Sequence, residues 1–232
     1  MKIKLIILII LISNTISGQE KNTLNLTPKN SELTKNIKSD TLFKPNYPDG
    51  IYLSKKDFIN KKANTSRAFE LRGFNKKPVD SIIHNPYFYY TENNKKVKNV
   101  FAISYKGHLY FQIKAILKNR NKTDRAQNTN FHNTFVRVIM GGNNYLYTEA
   151  ELANQWAMAT AVNLGVFGGI IANDLIKGKG IVWDFKNEEF NIFKSCKDYN
   201  KFINGKIKDD IQECKNLQPN MFRVRETIEK IK

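Results

Sequence analysis

The first apolar block along the chain is Leu5–Ile12, an unbroken run with Lys2 and Lys4 ahead of it and the small residues Ser17 and Gly18 behind it. A positive start, a short greasy centre and a small-residue exit form the pattern of a secretory leader, so residues 1–18 are expected to be removed as a signal peptide. The run is short for a membrane span, which takes about 20 apolar residues, and an uncleaved anchor is the alternative. No cysteine follows the expected cleavage point before Cys196, so no lipid anchor is expected at the new N-terminus. Residues 19–46 show no strand or helix period. They read as a flexible linker, because so polar a stretch cannot bury enough apolar area to offset the entropy of ordering.

From Tyr47 the pattern changes, and residues 47–232 read as one domain. Pro48-Asp49-Gly50 marks a turn before "IYL", and Ser54 with Asp57 has the form of a capping box opening a short helix. Strand signals dominate next: "AFELRGF", then "PYFYYTE", dense in aromatic β-formers. Three hairpins follow, with Lys106-Gly107, Asn143-Asn144 and Lys186-Asn187 as the turns between apolar runs. In the first, Phe101, Ile103 and Tyr105 are expected on one face and Ala102 and Ser104 on the other.

Toward the C-terminus the spacing becomes helical, in "CKDYNKFINGKIKDDIQECKNL" and "MFRVRETIEKIK", with Pro219 between the two pieces. Phe193, Tyr199, Phe202, Ile203, Ile207 and Ile211 are the candidate apolar contacts. The predicted class is α+β: a largely antiparallel sheet of three or more hairpins, an Ala/Gly-rich helix between hairpins, and a C-terminal helical layer.

That central helix carries small residues at every fourth position: Ala153, Ala157, Ala161, Gly165 and Gly169. Thr148 and Glu151 have capping-box spacing, which predicts a helix from about Glu149 within residues 149–176. Such a ladder lets another backbone approach closely. It suits a helix packed against the sheet of a soluble domain or, alternatively, a membrane-associated or self-associating helix. Asn163 near the middle and the cluster Gly165, Gly168, Gly169 favour the first reading.

The chain has a formal net charge of +17, of which Lys2 and Lys4 leave with the leader. Lys outnumbers Arg 31 to 7, and 29 Asn accompany them, so the charge comes from lysines scattered over the whole chain. Specific base and phosphate recognition favours the planar Arg fork. A salt-sensitive attraction to anionic surfaces is the expectation, without specific nucleic-acid binding. An exported chain with two cysteines predicts a Cys196–Cys214 disulfide, with two free thiols as the alternative.

Candidate chemistry is sparse. His84, His108 and His132 lie too far apart in sequence for a local zinc motif. No nucleophile elbow, HExxH or phosphate-cradling Gly-Lys-Ser/Thr loop is present. Glu149 with Glu151 and Glu188 with Glu189 are the carboxylate pairs a hydrolase could draw on, yet sequence neighbours rarely face each other across a cleft. No catalytic residue, metal or cofactor is therefore assigned. Tyr87 and Tyr89 share one strand face and form a possible aromatic contact surface.

The order "GIYLSKKDF", "FAISYKGHLYFQI", "VIMGGNNYLY", "GVFGGIIA" and "IVWDFKNEEFNIF" before terminal helices resembles an uncharacterised family of small exported proteins of Gram-negative envelopes. The resemblance implies export and the architecture above, and no activity. The expected protein is a non-enzymatic periplasmic or extracellular protein, possible at the membrane, that binds an unknown protein or envelope surface.

Overall fold

The computed structural model describes residues 42–124, 127–129, 131–154 and 178–232. The expected leader, nearly all of the linker, and Ala157, Ala161, Gly165 and Gly169 lie outside the described residues.

The chain runs β1 (Gly50–Tyr52), α1 (Lys55–Ile59), β2 (Phe69–Arg72), β3 (Tyr87–Tyr90), β4 (Ala102–Tyr105), β5 (His108–Gln112) and α2 (Ile113–Lys118). It continues through β6 (Gln127–Asn128), β7 (Phe135–Arg137), β8 (Met140–Gly141), β9 (Tyr145–Ala150) and β10 (Ala153–Asn154). After residue 178 come β11 (Lys179–Asp184), β12 (Glu189–Ile192), α3 (Cys196–Ile203) and α4 (Met221–Ile231). Two four-stranded sheets, in the orders β1-β4-β5-β7 and β12-β11-β9-β8, are accompanied by two separate two-stranded ribbons, β2-β3 and β6-β10. Every pairing between these strands is antiparallel. The class is α+β, as the alternation predicts.

All three expected hairpins form, each for a local reason. Lys106 and Gly107 both take positive φ, 52° and 77°, the geometry that matches the twist of tightly joined strands. Gly142 N–H donates to Tyr145 O at 2.9 Å around Asn143-Asn144. At the third turn the Asp184 carboxylate accepts from the backbone N–H groups of Lys186 and Asn187 at 2.9 and 3.0 Å. The predicted capping box is reciprocal: Asp57 N–H donates to Ser54 Oγ, and Ser54 N–H donates to the Asp57 carboxylate.

Strand alternation creates three apolar layers. Tyr52, Ala102, Leu109, Phe111 and Val136 from the first sheet meet Leu146, Ile181, Trp183, Phe190 and Ile192 from the second, which makes a sandwich. The opposite face of the first sheet, with Ile51, Ile103, Tyr110 and Phe135, is covered by Leu71 and Phe88 of the β2–β3 ribbon. The opposite face of the second sheet, with Tyr147 and Val182, is covered by Tyr199 and Ile203 of α3 and Val224 and Ile228 of α4. Gly180 lies at that last junction, where a Cβ would come within 2.8 Å of Phe193 Cδ2 and 3.0 Å of Tyr147 Oη.

Several expectations are corrected. Phe101 precedes β4 and packs with Phe58 and Trp183 in the sandwich core, on the side of Ala102 and away from Ile103. Its N–H donates to Tyr52 O, so pairing to the edge strand overrides a strict alternation carried one residue too far. No helix begins at Glu149. Residues 149 and 150 complete β9, paired with Gly180 and Lys179, and Ala153 pairs with Asn128. Ladder hydrogen bonds along β11 outweigh the local capping-box signal of Thr148 and Glu151. The Thr148 hydroxyl caps nothing and donates to Arg137 O at 2.7 Å.

The first C-terminal helix is also shorter than its periodicity suggests. It ends at Ile203, where Gly205 takes a φ of +90° that other residues avoid. The return segment is irregular, with Ile211 exposed. Amide side chains hold it: Asn200 exchanges hydrogen bonds with the backbone of Gln212, and Gln212 does the same with Asn220. The Cys196–Cys214 disulfide is present, with Cα atoms 5.5 Å apart, and ties the start of α3 to this segment. Among the described residues no helix is long and apolar enough to cross a membrane.

Candidate binding face

The β2–β3 ribbon presents two different faces. Phe69, Leu71, Phe88 and Tyr90 turn toward the first sheet. Glu70 and Arg72 of β2, in register with Tyr89 and Tyr87 of β3, form the outer face. A further stretch joins the far side of β3: Tyr90 N–H donates to Lys95 O and Val97 N–H donates to Phe88 O, which sets Lys96 opposite Tyr89. Five chemistry-bearing side chains, Glu70, Arg72, Tyr87, Tyr89 and Lys96, thus stand on one surface.

On that surface Tyr87 and Tyr89 are only 8% and 5% exposed. Lys96 Nζ lies 3.8 Å from the centre of the Tyr87 ring and 5.9 Å from that of Tyr89, and the Arg72 guanidinium lies 4.5 Å over Tyr89. Neither ring is therefore bare: the two tyrosines expected as a contact surface are buried, and cations lie over them. Attraction to the ring quadrupole holds the charges in place.

Beside these rings runs an open groove of about 690 Å³ lined by Arg72, Lys76, Tyr89, Asn94, Lys95, Lys96 and Lys98. Glu70 is outside this lining and pairs with Arg72, which leaves the four lysines as the groove's cations without that carboxylate partner. Burial, together with the positive charges of Lys76 and Lys98, pushes the Lys96 amine below its ordinary value. Burial and the neighbouring Tyr89 push the Tyr87 hydroxyl up. Like charge is concentrated here, and an anion would relieve it.

Adjoining the groove is an apolar tip. The turn 73–77 closes with Lys76 N–H donating to Gly73 O, and it carries Phe74 outward at 75% exposure. The Phe74 ring centre lies 6.4 Å from Tyr87 and 6.1 Å from Phe131, which is itself 49% exposed. A small, mainly apolar pocket of about 170 Å³ opens between Phe74, Phe131, Ile113, Val136 and Ala150, with Asn85, Thr129, Thr134 and Glu151 also lining it. The exposed phenylalanines carry no periodic signal, since each sits in a turn, and sequence reading did not find them.

The other candidates resolve into structural roles. Glu149 accepts from the Tyr147 hydroxyl at 2.8 Å and takes a bidentate bond from Arg225 of α4 at 2.7 and 2.8 Å. Burial pushes its carboxyl up, and the Arg225 and Tyr147 bonds overcome that and hold it below the ordinary value. Glu188 pairs with Lys55, and Glu189 accepts from the Asn121 amide. His84 Nε2 bonds Glu149 O at 2.8 Å, and His108 is buried in β5.

A polar cavity of about 320 Å³ near α3 is bordered by Asp124, Asp184, Glu189 and Asp198. Asp124 is held by Lys194 and by the Ile192 N–H, Asp184 caps its turn, and Asp198 caps α3 with Ser195. Among the described residues no three His, Cys, Asp or Glu side chains converge to hold a metal ion. No family model, curated protein or solved structure matches this chain.

Proposed function

We propose that this chain is an exported, non-enzymatic protein of the cell envelope that binds a protein or surface partner through the outer face of its β2–β3 ribbon. The observation that carries the reading is the groove at Arg72, Lys76, Lys95, Lys96 and Lys98, whose lining contains five cations and no carboxylate. A disulfide is compatible with an oxidising compartment, in keeping with the leader-like residues 1–18 and with the resemblance to small envelope proteins. The ribbon is pinned to the sandwich by Phe88 and Leu71, so the charges are positioned before any partner arrives.

The test has two arms. N-terminal sequencing of the protein recovered from cells should find a chain starting just after Gly18; a chain that keeps residues 1–18 in the cytoplasm overturns export. Washed envelope fragments should sediment the protein and leave the K76E/K95E/K98E variant in solution. Equal sedimentation of both proteins overturns the assignment of the face.

A further inference from the structure

Resting on that reading, one feature of the ribbon selects among envelope surfaces. We infer that the partner is an anionic phospholipid bilayer, with Phe74 and Phe131 entering the headgroup region while Lys76, Lys95, Lys96 and Lys98 meet lipid phosphates.

The argument starts from contiguity. Phe131 touches Phe74, Phe74 touches Tyr87, Lys96 lies on Tyr87 and Tyr89, and Arg72 lies on Tyr89. Apolar tip and cationic groove are therefore parts of one surface. Bilayer adsorption draws on both at once: apolar area buried at the acyl boundary and lysines near the phosphate plane. A soluble polyanion would use the lysines alone and leave two large rings in water. A polysaccharide lying in the groove would need free ring faces there for stacking, and the one ring that lines it, Tyr89, is already covered by Arg72, while Phe74 and Phe131 lie outside the lining. Lysines fit a fluid array of phosphates, where a point charge suffices and the fixed fork of Arg confers no advantage. Phe74 also sits at the end of a tight turn, well placed to lead the surface into the interface.

The protein, purified as its cells process it, is mixed with vesicles of phosphatidylglycerol and phosphatidylethanolamine, with phosphatidylcholine vesicles, and with soluble polyphosphate. Sedimentation with the anionic vesicles is expected, reversed by salt, and absent with phosphatidylcholine. K76E/K95E/K98E should abolish it, and F74S/F131S should weaken it about tenfold. All these side chains are exposed or half-buried, and far-UV circular dichroism checks that each variant folds. F74W gives a direct readout: its added emission should shift to the blue on anionic vesicles and stay unshifted on polyphosphate. Unchanged vesicle binding by F74S/F131S, or an unshifted F74W, overturns the inference. Binding to polyphosphate as tight as to vesicles assigns the groove to soluble polyanions and also overturns it. Binding to envelope fragments without binding to anionic vesicles overturns the lipid assignment and leaves the broader function standing.

Discussion

Ala150 and Lys179 face each other across adjacent antiparallel strands, so β9 ends and β11 begins at the same point of the second sheet. β9 and β11 share six registered pairs, from Lys179–Ala150 to Asp184–Tyr145. The pairing depends on the two ends meeting, and loop length enters only logarithmically. Replacing residues 155–177 with a short Gly/Ser linker should therefore leave a cooperatively melting α+β domain. Far-UV circular dichroism and a thermal melt check this; a chain that fails to fold would show that the excised residues belong to the core.

The disulfide closes the segment between Cys196 and Cys214, which otherwise relies on amide contacts among Asn200, Gln212 and Asn220. Loop closure of this length contributes about 3 kcal/mol on the chain-entropy model. Adding a thiol reductant, or making C196S/C214S, should lower the melting temperature by several degrees. An unchanged melt would mean that the amide network alone holds the segment.

Gly180 has no room for a side chain, since a Cβ there would lie 2.8 Å from Phe193 Cδ2 and 3.0 Å from Tyr147 Oη. G180V is expected to cost about 1–3 kcal/mol through overpacking at the sheet–helix layer. A urea titration measures it, and a midpoint equal to that of the parent would refute the close approach.

Acid should destabilise the domain in two steps. Burial, reinforced by Arg137, holds the His84 imidazole below its ordinary 6.5, against an opposing hydrogen bond at Glu149. Burial, Arg137 and Lys44 lower His108 in the same way. A base with a depressed folded pKa takes up its proton more readily when unfolded, so this stability is present above about pH 6.5 and declines as the pH falls below it. Glu149, also depressed, contributes stability above its ordinary 4.5 that is lost in more acidic solution. Urea midpoints measured from about pH 7.5 to pH 4 should fall throughout, and the upper step should shrink in H84Q. A midpoint constant from pH 7.5 down to about pH 5 would contradict the histidine assignment.

Much of the local structure was legible because it is set by residues close in sequence. The turn at Lys106-Gly107, the Ser54–Asp57 box and the alternation of Leu109 and Phe111 against Tyr110 depend on neighbours only. The helix start expected at Glu149 failed because its signal was local while the competing strand partner, β11, lies far along the chain; residues 155–176 of that expectation lie outside the described residues. The extended C-terminal helix failed for a related reason. Gly205 broke it, and the side-chain amides of Asn200 and Gln212 supplied hydrogen bonds that helical continuation would otherwise provide.

By itself, the amino-acid order determined the class, the hairpins and the strand face shared by Tyr87 and Tyr89, while the structure decided between a disulfide and two free thiols. Only the tertiary structure decided that this face is roofed by Arg72 and Lys96, and that Phe74 and Phe131 meet beside it. The physical reason is range. Turns and strand alternation are fixed by residues a few positions apart, whereas a surface of mixed charge and apolar area is assembled by packing from segments that no sequence period connects.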